Sequence, residues 1–422
     1  MATSIAVEFL VQGAPLIVDS FAAVSGTYGS VGHMTAKTSR KQLAASGISL
    51  IGLSTQQPQG VELVINATID GAKSRLFGGE YVTGDWNYDA DEVTISARDY
   101  AGVLVDQKRV LVATAEELNS ALAPGQSSSA AGILTQNQSV GQLVTQIAQQ
   151  FGLTPVLNLP TGDNPEIGTI YSEQTPDTVF LSIPQSLWAV LNMIARDTGN
   201  EVYVTPNKEL VFGTPGAGAT PLLLTYGQNQ GPPGSMPVRG LKVVHNPRRN
   251  ASFRVVVNSY NPATAQLTQG KAYVLGTTLT LSDNVEIQSG VWSGLNTAMI
   301  DDALIGQNKQ MPLYTFYVDG LTQDQANARA LAIATDISKR ELIMSGILDP
   351  VPGIVPTNPL TIQGAIDPEF AGETYYVNSY THRFVMPRAE NSYEGGLVTD
   401  FAALSLPLEG QGSAVVKKAK LR

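Results

Sequence analysis

Three histidines, His33, His245 and His382, are the side chains here best suited to bind a metal or to move a proton near neutral pH. They lie far apart, and none shows the i, i+4 spacing by which one helix face offers two imidazoles to zinc. The chain has no cysteine, which excludes thiolate nucleophiles, thiolate metal sites and disulfides together. Carboxylate pairs come next. Asp301-Asp302, or Asp89 with Asp91, could suggest a glycosidase, which needs two carboxyls held roughly 5–9 Å apart in a cleft. Asp89 and Asp91, however, fall in Asp89-Ala90-Asp91-Glu92, a short polar hairpin tip whose turn propensity accounts for them. Neither a Gly-x-Ser-x-Gly elbow nor a Gly-x-x-x-x-Gly-Lys phosphate loop occurs. Gly213, Gly216 and Gly218 sit in a proline-containing linker and read as loop glycines. Arg98 and Asp99 read as a strand-end pair or as interface contacts, and Trp188 as a core residue of its helix. Asn66-Ala67-Thr68, Asn137-Gln138-Ser139 and Asn250-Ala251-Ser252 fit the glycosylation pattern, which means little without a secretory leader. The expectation is a chain with no catalytic, cofactor-binding or metal-binding residue and no cofactor.

The elements that would hold such side chains are mostly strands. At 422 residues the chain exceeds one compact core, so two to four domains are expected. The 40 glycines and 24 prolines imply many turns between short strands. Residues 1–105 read as β throughout, with no helical period intervening. Ile5, Val7, Phe9 and Val11 share one face, Val61, Leu63 and Ile65 repeat the pattern, and Glu80–Tyr88 with Val93–Arg98 form a hairpin. From 106 to 225 the period becomes helical. Val140, Leu143, Val144, Ile147 and Phe151 follow the N-cap Ser139 and stop at Gly152. A second helix runs from Ser186 to about Thr198, with Gly199 as its stop, and leads into the hairpin Val202–Val204 and Leu210–Phe212. This is a small α/β domain with loose borders at Pro124–Ser129 and Gly213–Gly218. Residues 226–410 return to β, with a strand at Phe253–Tyr260, an irregular insertion over 265–310 and a helix over 322–341. The helix has a capping box of Thr322 with Gln325 and an apolar face of Ala330, Ile333, Ala334 and Ile337. Residues 411–422, with Lys417, Lys418, Lys420 and Arg422, read as a flexible basic tail.

Charge narrows the class. Charged residues are 15% against a typical ~25%, which suits a surface covered by neighbours. The net charge is −10, and no basic cluster in the body of the chain could neutralise DNA phosphates, although an acidic wall would let DNA slide past. The start of the chain lacks a basic n-region, and no segment approaches the about 18 apolar residues of a membrane span, so no membrane anchor is expected.

A weak internal repeat spans the chain. Phe77-Gly78-Gly79-Glu80-Tyr81-Val82 returns as Phe370-Ala371-Gly372-Glu373-Thr374-Tyr375-Tyr376-Val377. Each copy continues as a strand ending in an aromatic (Tyr88 or Phe384), then a polar tip, then a strand and a short apolar segment, Val93–Leu104 or Leu397–Leu406. The ordered match of Phe, Gly, Glu, Tyr and Val points to duplication. Two similar β domains in one chain would let a homotrimer present six similar units in a ring.

Four stretches then carry a family resemblance: the hairpin Tyr81–Val105 ending Ser96-Ala97-Arg98-Asp99-Tyr100-Ala101-Gly102, the helix Ser186–Gly199, the strand Phe253–Thr264, and Tyr376–Phe384. In this order they resemble the baseplate hub proteins of contractile-tail phages, which are related to the hub part of type VI secretion spike proteins. The resemblance implies a mainly β fold with an α+β insert, two tube-type β-barrel domains flanking a small α/β domain. It implies a homotrimeric, pseudo-sixfold ring at the end of the tail tube of the virion, assembled in the host cytoplasm. Implied partners are tail tube or tube-initiator proteins, other baseplate subunits, a tape-measure protein, and a central spike that is a separate subunit because only about a dozen residues follow the second barrel. DNA would pass only in transit. The alternatives are a glycan-binding or cell-wall-hydrolysing tail component, or the same fold serving a non-contractile tail tip, a tailocin or a secretion machine.

Overall fold

The computed structural model describes residues 4–26, 30–56, 60–109, 138–159, 164, 185–198, 200–227, 232–245, 252–261, 266–276, 279–280, 286–287, 290–294, 296–307, 310–317, 321, 323–338, 342–368, 370–371, 373–387 and 396–405. The expected linker at 124–129, the Gly199 stop, the Thr322 cap and the basic tail lie outside them.

The first barrel, open between its end strands β2 and β3 among the described residues, is built from β1 (Ile5–Val11), β2 (Ala14–Leu16), β3 (Ser20–Val24), β4 (His33–Ser39), β5 (Glu62–Ile69), β6 (Ala72–Asn87) and β7 (Glu92–Asp99), in the order β2-β1-β5-β6-β7-β4-β3. The period-two pattern does what its spacing predicts: Phe9 and Val11 turn into a core with Met34, Leu63, Ile65, Val93 and Ile95. Two short helices, α1 (Arg40–Ala45) and α2 (Leu50–Gln56), together with a third that begins at Ala101, correct the expectation that no helix interrupts residues 1–105. Six or seven residues are too few to show a 3.6-residue period, but Ser39 and Gln42 close a capping box that marks the first helix in the sequence.

After β7 come α3 (Ala101–Asp106), β8 (Lys108–Arg109), α4 (Val140–Gln150), β9 (Thr154–Asn158), β10 (Gln185–Ser186), α5 (Leu187–Asp197), β11 (Glu201–Val204) and β12 (Glu209–Gly213). Ser139 caps α4 in a box with Gln142, and Gly152 follows it at φ +68°, as the sequence predicts. The apolar stripes of α4 and α5 meet over the sheet β11-β12-β9, burying Leu143, Ile147, Leu191, Ile194 and Phe212.

The second barrel uses β13 (Leu222–Tyr226), β14 (Met236–His245), and then, after a long insertion, four further strands. The insertion contains β15 (Phe253–Asn261), β16 (Gln266–Leu275), β17 (Leu279–Thr280), β18 (Glu286–Ile287), β19 (Gly290–Ser293), α6 (Asn296–Gly306), β20 (Leu313–Tyr317) and α7 (Gln323–Ser338). The barrel resumes with β21 (Leu342–Leu348), β22 (Pro359–Gly364), β23 (Tyr375–Val385) and β24 (Gly396–Ser405), and closes as β13-β14-β21-β24-β23-β22 back to β13. β13, which the sequence reading left with the α/β segment, lies parallel to β22 inside this barrel. The fold is therefore mainly β: one closed six-stranded barrel, an open barrel-like sheet of related strand order before it, and a small α/β part between them in the chain.

The region expected to be irregular, 265–310, is ordered differently. β15, β16, β19 and β20 form their own sheet, β19-β16-β15-β20, with α7 packed on it; the strand at 253 and the helix at 323 belong to this unit and not to the barrel wall. The reason the pattern looked weak is burial on both faces. Ala272, Tyr273, Val274 and Leu275 are all buried in succession, Ala272 and Val274 against α7 and its neighbours, Tyr273 and Leu275 among Trp292, Ile300 and Leu304. A doubly covered strand loses the alternation that identifies a half-buried one. α7 reaches the sheet closely because Ala326, Ala330 and Ala334 face it and Gly270 lies beneath. A β-carbon on Gly270 would fall 1.9 Å from the carbonyl oxygen of Ala326. Gly270→Ala should therefore push α7 off its sheet and lower the thermal midpoint by several degrees, as overpacking costs about 1–3 kcal/mol. An unchanged midpoint would contradict this packing.

The duplication is visible in topology, though not in the register of the repeated motif: the bulges put Tyr81 level with Val377, and Phe77 lies inside β6 whereas Phe370 lies in the turn before β23. Strands β1, β3, β4, β5, β6 and β7 correspond in chain order to β13, β14, β21, β22, β23 and β24. The sheet order matches too, β1-β5-β6-β7-β4-β3 against β13-β22-β23-β24-β21-β14. Each copy bulges its hairpin at the same place, between Tyr81 and Thr83 opposite Ala97-Ser96, and between Val377 and Ser379 opposite Ala403-Ala402. The copies differ in β13, which runs parallel to β22 where β1 runs antiparallel to β5.

Candidate assembly interface

Ser20-Phe21-Ala22-Ala23-Val24 alternates, so Phe21 and Ala23 fall inward while the backbone edge of β3 stays available. That edge is taken by β23 of the second barrel: Val24, Ala23, Ala22, Phe21 and Ser20 face Thr381, His382, Arg383, Phe384 and Val385 in antiparallel register. One thirteen-stranded sheet therefore runs through both barrels. Phe21 and Phe384 stack with centroids 5.5 Å apart and planes 24° from parallel. Both ends of the ladder are fixed. The Met386 amide donates to the Asp19 carbonyl at 2.8 Å. The Ser25 amide donates to the Tyr380 carbonyl at 2.9 Å, and the Tyr380 amide donates to Ser25 Oγ at 3.0 Å.

Beside this seam the α/β part docks. Gly78 of the repeated motif leaves room for the turn after β11: its β-carbon would lie 2.5 Å from the Pro206 carbonyl oxygen and 2.7 Å from the Tyr100 ring. Arg75 Nη1 donates to the Pro206 carbonyl at 3.2 Å. The Tyr100 hydroxyl donates to Glu62 at 2.6 Å, Lys208 pairs with Glu62 at 2.9 Å, and the Lys208 ammonium sits 4.9 Å from the Tyr100 ring centre. Burial pushes the Glu62 carboxyl up, but Tyr100 and Lys208 outweigh it and leave it below the usual range. A small cleft at this meeting point is lined by Val24, Phe77, Asp99, Trp188, Tyr203 and Tyr380.

The residues singled out in the sequence distribute as follows. The histidines do not converge: His33 opens β4 and His245 ends β14, both exposed, whereas His382 is buried in the seam with Nδ1 3.0 Å from Thr399 Oγ1. Among the described residues, no group of three or more His, Asp and Glu side chains is placed to hold a metal. Asp301 is engaged by Lys271 at 3.2 Å and by the Tyr273 hydroxyl. Asp89 and Asp91 are at a hairpin tip where Asn87 Oδ1 accepts from the amides of Asp89 and Ala90, both at 3.1 Å. Arg98 and Asp99 separate. Arg98 forms a fork with Asp106, while the Asp99 carboxylate accepts from the amides of Gly32 at 2.8 Å and Ala101 at 2.9 Å. Trp188 is buried in the α/β core. Asn66 is buried and donates to Glu8, whereas Asn137 and Asn250 lie outside the described residues. Gly213 ends β12, and Gly216 and Gly218 have positive φ in the loop beyond it. No helix among the described residues is long and apolar enough to cross a membrane.

Sequence reasoning missed the seam itself. The alternation of 20–24 marks a strand, but no residue announces which edge it meets.

Two buried groups give the joint a pH response. Burial lowers His382 to about 4, and it raises Asp99 to about 7 against the pull of its backbone donors and Arg98. Unfolded histidine takes a proton below about pH 6.5 while folded His382 resists it to about 4, so its contribution is full above that window and lost as pH falls through it. Asp99 acts oppositely: folded it keeps its proton up to about 7, unfolded it loses it near about 3.9, so stability declines as pH rises across that interval. His382→Gln should therefore shrink the loss of thermal midpoint between pH 6.5 and 4, read by scanning calorimetry; an unchanged pH slope would refute the assignment. Gly78→Val should lower the midpoint at all pH values by placing a side chain into Pro206, at a cost of about 1–3 kcal/mol. Wild-type stability in that variant would mean the α/β part is not docked there.

No protein-family model matches the chain, and no match is found among curated proteins. Solved structures do match. The tail protein from Neisseria meningitidis superposes with a TM-score of 0.56 at 13% identity, covering 95% of this chain and 96% of that one. The 43 kDa tail protein of prophage MuSo2 from Shewanella oneidensis gives a TM-score of 0.56 at 12% identity, covering 94% and 98%. The likeness is one of fold over nearly the whole length: this chain has the architecture of phage tail proteins, in keeping with the resemblance read from its sequence.

Proposed function

We propose that this chain is a structural subunit of a phage tail, the baseplate hub that joins the tail tube to the central spike of a contractile tail. One observation carries the reading: a closed barrel and an open barrel-like sheet of the same strand order, fused through one sheet, in a chain with a tail-protein fold. Three such chains supply six similar barrels, which suits an adapter between a sixfold tube and a threefold spike. The barrel domains complete the tube wall and the α/β part braces them from the side of Gly78. The net charge of −10 suits a wall that DNA crosses in transit without sticking. The work is mechanical and not enzymatic.

The insertion fits contact with other baseplate subunits. Its edge strand β20 is exposed along its whole length, with Leu313, Tyr314, Phe316 and Tyr317 among its side chains. Tail tube or tube-initiator proteins, a separate spike and a tape-measure protein complete the proposed partners, in the virion tail after assembly in the host cytoplasm. A hydrolytic reading would need facing carboxylates in a cleft, and Asp301 is already committed to Lys271 and Tyr273.

Native mass spectrometry of the purified chain, alone and with its candidate spike, tests the proposal. A trimer, or a three-to-three complex driven by the spike, is the expected result. A monomer indifferent to the spike would overturn it.

A further inference from the structure

We propose that two strand edges of this chain, the outer half of β6 and the far half of β14, pair between copies in the register that β3 and β23 use within one copy. The inference rests on the ring reading above and gives it a specific joint.

The internal repeat supplies the template. β3 corresponds to β14 and β23 corresponds to β6, so the seam inside the chain joins a β3-type edge of one barrel to a β6-type edge of the next. After that pairing one edge of each type is left over among the described residues. Among the described residues, Thr83–Asn87 of β6 pair with β7 on one side only, because β5 stops opposite Glu80. Among the described residues, Lys242–Val244 of β14 pair with β21 on one side only, because β13 reaches just Met236 and Pro237. Both free edges carry exposed apolar side chains, Val82 at the head of one and Val244 on the other. An unpaired edge of this kind leaves its amides and carbonyls to water or to another strand.

Register follows residue by residue. The matching bulges align Thr83 with Ser379, and hence Trp86 with His382. Met34 faces Ala97 as Met344 faces Ala403, and Ala23 faces Met34 as Val243 faces Met344. Ala23 faces His382 in the seam, so Val243 of one copy would face Trp86 of the next, with Val244 opposite Asp85 and Lys242 opposite Asn87. The exposed Tyr88 takes the place of Phe384, the ring that stacks on Phe21 in the seam.

Charge favours the same docking. The free half of β14 presents the exposed Lys242, while the β6 tip presents Asp85 and Asp89. Lys242 would lie diagonal to Asp85 on one face of the joined sheet, within the ~7–8 Å of such neighbours. The contact is head-to-tail, so it must close into a ring or grow without limit; alternation with the internal seam closes three copies into six barrels.

The absence of native cysteine makes the test direct. Directly opposed cross-strand residues have β-carbons about 4.5–5.5 Å apart, within reach of a disulfide after small shifts. Asp85→Cys with Val244→Cys should oxidise to covalent dimers and trimers on a non-reducing denaturing gel. Val24→Cys with Thr381→Cys, the template pair, should link within the chain and stay at monomer mass. Lys242→Glu should weaken trimerisation about tenfold or more, and adding Asp85→Lys should restore it. A native trimer that gives no cross-link at 85 with 244 or at 87 with 242 would overturn this joint while leaving the ring intact. No trimer by native mass, with or without the spike, would overturn both.

Discussion

The five-residue ladder between β3 and β23 is the constraint on which the rest depends. Backbone amides and carbonyls on a strand edge must be satisfied, and here the first barrel satisfies its own with the second. The bond is short in sequence terms on either side but joins residues some 360 positions apart, so it makes a two-barrel chain one continuous sheet. Stacked Phe21 and Phe384 and the Ser25–Tyr380 exchange set the relative orientation, since a slip of one residue would reverse every side chain along the seam.

Around that seam the chain buries groups that ordinary cores avoid. His382, Tyr380 and Asp99 lie where the two barrels and the α/β part meet, and burial shifts each toward its neutral form. Two of them are satisfied locally, His382 by Thr399 and Asp99 by the backbone amides of Gly32 and Ala101. Polar groups held in this way contribute little net stability, but leaving any of them unpaired is costly, which disfavours alternative docking of the three parts.

The insertion follows a different logic. It hangs between β14 and β21, the position that in the first barrel is the turn between β3 and β4, and it folds on its own core of β15, β16 and α7. An insertion at a turn leaves barrel strand order untouched, which is why the second copy of the repeat keeps its topology despite about a hundred extra residues.

Much of this was legible in the amino-acid sequence because it depends on local period. The half-buried strands of the first barrel, the helices capped by Ser139 and Ser186, the hairpin after α5 and the hairpins β6–β7 and β23–β24 all announce themselves within ten or twenty residues. Three things did not. Helices α1 and α2 are too short for a period, β16 is buried on both faces and so has no alternation, and β13 carries no mark of the distant strand it joins. The choice of partner edge is long-range by nature: Ser20–Val24 specifies a strand, but only closure of the whole sheet decides that its neighbour is Thr381–Val385 and that Gly78 must stay bare for Pro206. Local chemistry determined the parts, and satisfaction of backbone hydrogen bonds across the folded chain decided how they join.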